Sequence, residues 1–400
     1  MVSFDEALKM LDSVKIKVKS ESVPVLNSLH RVACRDIPSK LDSPAEDNSA
    51  MDGYAIKSSL TQNISAGKLK LEIEQDAIYA GDNFKKNVRK DKAVKIMTGG
   101  YLPDGLDAVI PFEDAKVIKE KLVITSPVEI NKNVRKKGED IKKGDKILYK
   151  NNLLTPEAIA LLISCNIKRI MAYENIPASI ISTGNEILTP NQKYRYGKIF
   201  NSNGILAEFF LSQNGCRVVD NVICKDNLAV IKNAIKSAMK SSKIIITSAG
   251  ASFGEKDFTQ KALAESGLKI KFRQVAIKPA KPFSFGLIND IPVFMLPGNP
   301  MAFFICLVVF LKRFLKNQIN IKSGIQTIKS ISLFKYVKNH KRTEFIPAHT
   351  DSENGCLYSD IYKKYGPANI SALGHINSIV QIPENAFETE KGDYIDTYLI

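Results

Sequence analysis

The first residues of the chain carry the hydrophobic pattern of an amphipathic helix. Apolar residues recur there at helical spacing, namely Phe4, Leu8, Leu11 and Val14. Ser3 and Glu6 form the Ser-x-x-Glu box that caps a helix N-terminus. At residues 155–157, Thr-Pro-Glu supplies a capping hydroxyl, a proline at the first helical position and a first-turn acid. The sequence therefore predicts one helix at the N-terminus and another from about residue 156.

Between about residues 52 and 145 the pattern changes to short β-rich runs. Gly-Asp and Pro-Asp-Gly turns separate the runs, as at Gly81-Asp82 and Gly144-Asp145. We expect strands near residues 69–73, 93–97, 108–111 and 121–125. From about residue 325 to 400 short strands return, which predicts a small β-domain.

From about residue 176 to 316 predicted strands and helices alternate. The strands are expected at 178–182, 217–223, 243–246 and 293–296. The helices are expected near 204–212, up to Met239, and after Asn299-Pro300, which caps the helix carrying the long apolar run. Alternation of this kind is typical of a parallel sheet covered by helices on both faces.

Composition limits the broad class of protein. The 400 residues are 44% apolar and 25% charged, which is typical of a globular chain of two or three domains. The net charge of +15 favours an anionic partner without specifying one, and compositional bias explains it equally well. The six cysteines and four histidines are scattered, so no zinc site is predicted and reduced thiols are expected.

No targeting or membrane segment is predicted. Asp5 and Glu6 stand where a signal peptide would be basic and then apolar. The longest apolar run, residues 301–311, is shorter than the roughly 20 residues that span a bilayer. We therefore expect a cytoplasmic protein without a membrane partner.

Three of the predicted strands end in polar, glycine-bearing loops. The loop residues are Thr183 and Gly184, then Thr247, Ser248 and Gly250, and finally Pro297, Gly298 and Asn299. Ligands bind at the carboxyl ends of strands in an open parallel sheet, where hydroxyls, bare backbone and helix N-termini can hold phosphate. None of the loops is a Walker loop or a Gly-x-Gly-x-x-Gly motif, which disfavours ordinary ATPases and dinucleotide enzymes. The pattern predicts an anion or nucleotide pocket.

Charged residues accompany these loops. Two prolines fix the path of Lys278 and Lys281 in a Lys-Pro-Ala-Lys-Pro string that suits a phosphate clamp, although a solvated basic hairpin is the alternative. Glu186, Asp226 and Asp257 lie in or after the loops, where acids commonly carry Mg²⁺. Helix capping is the alternative for Asp226 and Asp257. Spacing alone does not assemble these residues into one site.

At these residues the sequence resembles the molybdopterin molybdenumtransferase family. The members of this family are cytosolic enzymes of molybdenum cofactor synthesis and are related to the C-terminal part of gephyrin. The most specific string is Asp-Asn-Ser-Ala-Met-Asp-Gly-Tyr-Ala at residues 47–55. The other similar segments follow in order at 96–99, 135–140, 182–188, 248–257, 276–286 and 296–300. Ala249 and Ala280 stand where the family more often has glycine, and Asn227 replaces a second acid after Asp226.

The resemblance implies a multidomain α/β plus β fold in an elongated homodimer. A linking domain would comprise residues 21–44 and 145–175, and a β-rich lid residues 45–144. A Rossmann-like molybdopterin-binding domain would comprise residues 1–20 and 176–322, followed by a C-terminal β-barrel at 323–400. The active site would lie between the central domain of one subunit and the lid of the other.

The resemblance also implies a reaction and a set of site residues. The enzyme would insert molybdate into adenylylated molybdopterin with release of AMP, assisted by Mg²⁺. The catalytic residues implied are Asp52, Thr98, Asp140, Glu186 and Lys278. Glu186, Asp226 and Asp257 would serve Mg²⁺. Substrate would contact Arg135, Lys281, Thr183, Gly184, Thr247, Ser248, Gly250, Pro297, Gly298 and Asn299. The partners implied are the molybdopterin adenylyltransferase and apo-molybdoenzymes.

Three other functions remain as alternatives. A molybdopterin adenylyltransferase resembles residues 176–320 but would not need the lid motif or the C-terminal β-domain. A non-catalytic dimeric scaffold would not need the set of Asp52, Glu186, Asp257 and Lys278. A nucleic-acid binder would explain the charge, but no helix-turn-helix pattern or aromatic stacking motif supports it, and we expect no nucleic-acid partner.

Overall fold

The protein is described by a computed structural model covering residues 1–64, 68–82, 88–248, 258–319, 327–363 and 366–400. Its central feature is a six-stranded sheet within these residues. The strands in spatial order are Cys216–Cys224, Ile176–Thr183, Ile244–Ser248, Ile291–Leu296, Ser284–Ile288 and Lys269–Arg273. The first four run parallel, as the alternating pattern predicts.

The last two strands correct the prediction of a wholly parallel sheet. Ser284–Ile288 pairs antiparallel with both of its neighbours. It joins Ile291–Leu296 through Asn289 and Asp290, whose φ angles of 46° and 65° are both positive. Two positive φ angles are what a tight two-residue hairpin turn of this hand requires. A hairpin therefore replaces a crossover helix at this side of the sheet.

Helices accompany the central sheet. They are Ser202–Gln213, Leu228–Ser241, Phe258–Glu265 and a long apolar segment from Pro300–Cys306 through Leu307–Leu311 to Lys312–Gln318. The middle part of that segment is π-helical. Its start at Pro300 agrees with the prediction, but the side chain of Asn299 makes no capping hydrogen bond. Phe283, Phe294, Phe310 and Phe314 are fully buried between sheet and helix, where they form one aromatic core.

The first helix, Phe4–Asp12, has the predicted capping box between Ser3 and Glu6. Its buried face packs into the aromatic core rather than into a separate N-terminal unit. Phe4 meets the rings of Phe310 and Phe345 edge to face, at centroid distances of 5.7 and 5.3 Å. The helix thus touches both the central region and the C-terminal barrel.

A smaller region follows with its own apolar core. Its helix, Pro156–Ser164, begins after Thr155, whose hydroxyl accepts a hydrogen bond from the Ala158 N–H as the sequence predicts. Its strands are Ser20–Pro24 paired with Arg169–Tyr173, and Ile37–Pro38 paired with Lys146–Leu148. This core is distinct from that around the central sheet.

Residues 48–135 contain a second six-stranded sheet. Its strands in spatial order are Ala108–Pro111, Gly53–Ile56, Ala93–Ile96, Leu69–Ile78, Lys121–Ile124 and Lys116–Ile118. All four predicted strands are present, and Leu69–Ile78 extends further than predicted. A short pair, Asn48–Ser49 with Val134–Arg135, ties the beginning of this region to its end.

The C-terminal region is a β-barrel, as predicted, and the structure shows that it has five strands and is closed. The strands are Thr343–Glu353, Cys356–Ile361, Ile328–Ser332, Tyr394–Leu399 and Ser378–Ile382, and the last pairs with the first. Short pairs elsewhere are Tyr336–Val337 with Glu388–Thr389, and Ile187–Leu188 with Ile199–Phe200. Within the described ranges, no helix is long and apolar enough to cross a membrane.

Candidate functional site

The three polar loops predicted from the sequence lie at one edge of the central sheet. Ser182 pairs with Ser248, and Ser248 pairs with Leu296, so these strands end at the same level. Their loops therefore meet where the carboxyl ends of parallel strands usually bind ligands. We call residues 183–186, 247–248 and 297–299 the strand-end loops.

Asn203, which sequence reasoning missed, ties two of the strand-end loops together. Its amide donates hydrogen bonds to the Ser248 hydroxyl at 3.0 Å and to the Gly298 carbonyl at 2.8 Å. The residue is only 8% exposed, and its Oδ1 has no hydrogen-bond partner among the described residues. A buried amide oxygen without a partner is unusual in a folded protein. The Asn-Ser-Asn-Gly string at 201–204 was the available sequence signal.

Other hydroxyls of the strand-end loops are also engaged inside the protein. Thr183 is buried and exchanges a 2.9 Å hydrogen bond with Thr259, and Thr247 is fully buried. Gly298 differs, because a side chain built on it would meet no atom within 4 Å. The threonines thus stiffen the loops, whereas the backbone at Gly298 is open to approach.

Two predicted metal ligands flank the same loop residue. The Asn185 N–H donates to Asp226 Oδ2 at 3.1 Å, and the Asp226 N–H donates to Asn185 Oδ1 at 3.2 Å. The Glu186 carboxylate folds over Gly184, where a β-carbon would lie 2.6 Å from its Oε1. Asp226 does not cap the following helix, because Asn227 accepts the capping hydrogen bonds instead. Its carboxylate is thereby held at the loop.

The segment with Lys278 and Lys281 reaches the same edge of the sheet. It leaves strand Lys269–Arg273 and enters strand Ser284–Ile288, and Ser284 pairs with Met295 next to the loop at 297–299. The Nζ of Lys278 lies 2.9 Å from Oε1 of Glu344. Lys281 is exposed. The backbone of this segment therefore passes along the sheet edge that carries the strand-end loops, while the Lys278 ammonium contacts Glu344 of the C-terminal region.

Asp52 and Thr98 contact each other in the predicted lid. Asp52 Oδ1 accepts hydrogen bonds from the Thr98 N–H at 2.7 Å and from its hydroxyl at 2.8 Å. These bonds, the backbone one first, hold the pKa of Asp52 below its ordinary value. Asp52 is exposed, so its carboxylate is ionised at neutral pH and open to a ligand.

Arg135 and Asp140 are exposed residues of the same region, Arg135 at the end of the short strand Val134–Arg135 and Asp140 in the loop that follows it. Arg135 Nε donates to Glu139 at 2.9 Å, and the Asp140 N–H donates to the Ser43 carbonyl at 3.1 Å. Among the described residues, no hydrogen bond or ion pair joins these two residues, or Asp52 and Thr98, to the central sheet. One copy of the chain thus holds two groups of predicted site residues, which it does not bring together.

Two predicted residues, Gly250 and Asp257, lie outside the described part of the chain. In the part that is described, no three His, Cys, Asp or Glu residues cluster as a metal site would require. Glu186 and Asp226 at one loop nevertheless fit Mg²⁺, which commonly takes only one or two protein carboxylates and completes its shell with phosphate and water oxygens.

Comparison with known proteins gives the family. Residues 2–166 match a family model described as "MoeA N-terminal region (domain I and II)", and residues 179–317 one described as "Probable molybdopterin binding domain". A relative from Haemophilus influenzae, named molybdopterin molybdenumtransferase, is 34% identical over 308 residues, which is 76% of this chain and 74% of the relative. The chain belongs to the molybdopterin molybdenumtransferase family. The family that the sequence motifs predicted is thus confirmed.

Similarity to the molybdopterin molybdenumtransferase family extends along the whole chain. A protein of that name from Staphylococcus aureus is 29% identical over 398 residues, covering 98% of this chain and 94% of its own. The crystal structure of a "molybdopterin biosynthesis moeA protein" from Pyrococcus horikoshii OT3 covers 100% of both chains with a TM-score of 0.82 and 28% identity. The multidomain α/β fold with a C-terminal barrel is therefore that of the family.

Proposed function

We propose that the protein transfers molybdenum from molybdate to adenylylated molybdopterin and releases AMP. The observation that carries the proposal is the convergence of the three strand-end loops at one sheet edge, along which the backbone segment of Lys278 and Lys281 also passes. Both substrates and AMP are anions, which lysines and helix N-termini attract. Membership of the molybdopterin molybdenumtransferase family supports the same reaction.

The loop residues and the lysines have separate tasks in this proposal. The open backbone at Gly298 and the N-terminus of the helix at Pro300 would hold the phosphate groups of the nucleotide. Lys278 and Lys281 would offset the negative charge of molybdate and of the phosphates. Thr183, Thr247 and Ser248 would keep the loops in shape from inside the protein.

Mg²⁺ would be held by Glu186 and Asp226, the two carboxylates on either side of Asn185. When bound, the ion would offset the charge that develops on the pyrophosphate oxygens. Asp257 belongs to the same proposed ligand set. The Asn185–Asp226 hydrogen bonds orient one carboxylate, and Gly184 leaves space for the other.

We propose that a second copy of the chain completes the site. Asp52 and Thr98 form an exposed pair that makes no hydrogen bond to the central sheet of its own chain within the described residues. A partner's Asp52, Thr98, Arg135 and Asp140 would then face the strand-end loops. A cytoplasmic location, and partners that make adenylylated molybdopterin or receive the finished cofactor, belong to the same proposal.

The decisive experiment is AMP release by the purified protein. Adenylylated molybdopterin is supplied with and without molybdate and Mg²⁺, and AMP and pterin-bound molybdenum are both quantified. Release that needs both, with molybdenum on the pterin, is the expected result. Formation of adenylylated molybdopterin from ATP would favour the adenylyltransferase, and tight binding without release would favour the scaffold.

Mixing inactive variants tests the shared site. D52N and E186Q each remove a group that the proposal assigns to a different subunit. Co-refolded or co-expressed, they should form mixed dimers with one intact site, giving about a quarter of wild-type activity. If both groups serve the same chain's site, the mixture stays inactive, and the shared site is refuted while the reaction itself still stands.

A further inference from the structure

The segment with Lys278 is built into the C-terminal barrel as well as the central sheet. Strand Ile277–Lys278 pairs in parallel with strand Thr343–Glu353, with Lys278 opposite Glu344. The Thr343 N–H donates to the Ala276 carbonyl at 3.1 Å. The backbone of the lysine segment is thus held by the barrel.

Glu344 is a buried carboxylate beside this lysine. Its side chain is 1% exposed, whereas that of Lys278 is 41% exposed. Oε1 lies 2.9 Å from the Lys278 Nζ, and Oε2 lies 3.2 Å from the His340 Nε2. Within the described residues, neither oxygen accepts a hydrogen bond of good geometry. The Lys278 ammonium and the His340 imidazole are therefore the polar groups that the structure places beside this buried carboxylate.

Of Lys278 and His340, Lys278 supplies the positive charge beside Glu344. Burial lowers the pKa of His340, and Lys278, Arg342 and Lys338 lower it further, against the opposing effect of Glu344. His340 is therefore largely neutral at pH 7. The Lys338 ammonium donates to the carbonyls of Arg342 and Pro383 instead. A buried carboxylate left without its cation is strongly unfavourable.

We propose that Glu344 is a positioning residue of the barrel that fixes the Lys278 ammonium at the strand-end loops. An ammonium has three N–H donors, so a lysine held by one carboxylate keeps donors for an anionic substrate. This inference rests on the proposed function, since it concerns the same site. It gives the C-terminal barrel a task in the reaction.

Reductive methylation of Lys278 tests the contact without any activity assay. In full-length E344Q the ammonium loses the carboxylate that holds it at 2.9 Å, so the Lys278 side chain should become more accessible and its methylation rate should rise relative to that of Lys281. Peptide mass spectrometry at pH 8 would report the methylation rate, and exposed Lys281 in the same segment is the internal control. An unchanged ratio of the Lys278 and Lys281 rates would overturn the proposal.

A matched variant separates positioning from damage to the barrel. Ser359 is fully buried and exchanges 2.7 Å hydrogen bonds with Ser330 and Thr350 inside the barrel. S359A should lower the melting temperature without changing the methylation rate of Lys278 or kcat/KM. E344Q should lower kcat/KM on the order of ten- to a hundredfold. Equal kinetic losses in both variants would mean that Glu344 acts only through stability.

Two further measurements decide the remaining cases. If E344Q does not fold, K278M and K281M are compared. Only K278M leaves a buried carboxylate without its cation, so only K278M should lower the melting temperature markedly.

Where E344Q folds, the double variant E344Q/K278M should have a kcat/KM no lower than that of K278M. Additive losses of kcat/KM in the double variant would overturn the proposal. If the wild type releases no AMP, the proposed function fails, but the methylation and melting results still decide the role of Glu344.

Discussion

The hydrogen bonds of Asn203 are expected to set the shape of the strand-end loops. N203A removes the bonds to Ser248 and to the Gly298 carbonyl. Each is worth about 0.5–1.5 kcal/mol, so the loss is about 1–3 kcal/mol. Removing the buried, unpartnered Oδ1 offsets part of this. Each kcal/mol of lost stability lowers the melting temperature of a domain of about 150–250 residues by about 2–4 °C.

The same change should weaken ligand binding, because loops that are no longer held must be ordered when the ligand binds. We expect AMP affinity, measured by titration calorimetry, to fall about three- to tenfold. N203D should be worse, since a carboxylate oxygen would then face the Gly298 carbonyl. Differential scanning calorimetry gives the stability, which avoids assuming a two-state transition for a chain with several cores.

Asn221 provides the matched control. Its amide also donates two hydrogen bonds, to the Gly204 carbonyl at 3.1 Å and to Glu208 at 2.8 Å, and its Oδ1 also lacks a partner among the described residues. It lies on strand Cys216–Cys224, outside the strand-end loops. N221A should therefore lose similar stability and keep AMP affinity. Equal affinity in the two variants would refute the role given to Asn203.

Three further changes have expected outcomes. T98V removes one of the bonds that lower the pKa of Asp52, which should rise partway to its ordinary value because the backbone N–H remains. Since a carboxylate with a lowered pKa loses its contacts as pH falls through that value, the acid limb of kcat/KM should move to higher pH in T98V. G184A would push the Glu186 carboxylate away from the loop and raise the Mg²⁺ concentration for half-maximal activity about tenfold or more. A280G relieves a φ of 75°, worth about 1–2 kcal/mol, but it adds a glycine entropy cost of about 0.5–1 kcal/mol and removes a buried methyl group worth about 0.8 kcal/mol, so the melting temperature should stay close to that of the wild type.

Simple controls accompany these three changes. Gly374 has no atom within 4 Å of an added β-carbon, so G374A should leave the Mg²⁺ requirement unchanged. Ala262 is buried within helix Phe258–Glu265, where no positive φ is relieved, so A262G should lower the melting temperature. An acid limb in T98V identical to that of the wild type would mean that Asp52 does not govern it.

Features set by neighbouring residues could be predicted from the sequence. The box at Ser3 and Glu6 and the start at Thr155 depend on contacts within one helical turn, so the residue types suffice. The hairpin at Asn289-Asp290 was also within reach, because two such residues between apolar runs are a turn signal. The capping role went to Asn227 rather than Asp226 because the carboxylate of Asp226 is engaged by Asn185.

Features that join distant parts of the chain could not be predicted from local patterns. Asn203 acts across 45 residues on Ser248 and across 95 on Gly298, and nothing near it in sequence indicates either partner. Glu344 reads in sequence as an ordinary acid in a β-strand, and only the fold places it opposite Lys278. Local motifs therefore predicted the strand-end loops, whereas the contacts that hold these loops and Lys278 depend on the tertiary structure.

The position of the first helix bears on how the chain folds as it is made. Phe4 packs on Phe310 and Phe345, and Asp12 accepts a hydrogen bond from Arg313, which is 301 residues further along. At about 5–20 residues per second, those partners leave the ribosome roughly 15–60 s after the helix does. For that time the apolar face of the helix stays uncovered. It is a segment that a nascent-chain chaperone could hold, and its docking would join parts of the chain that are made 301 residues apart.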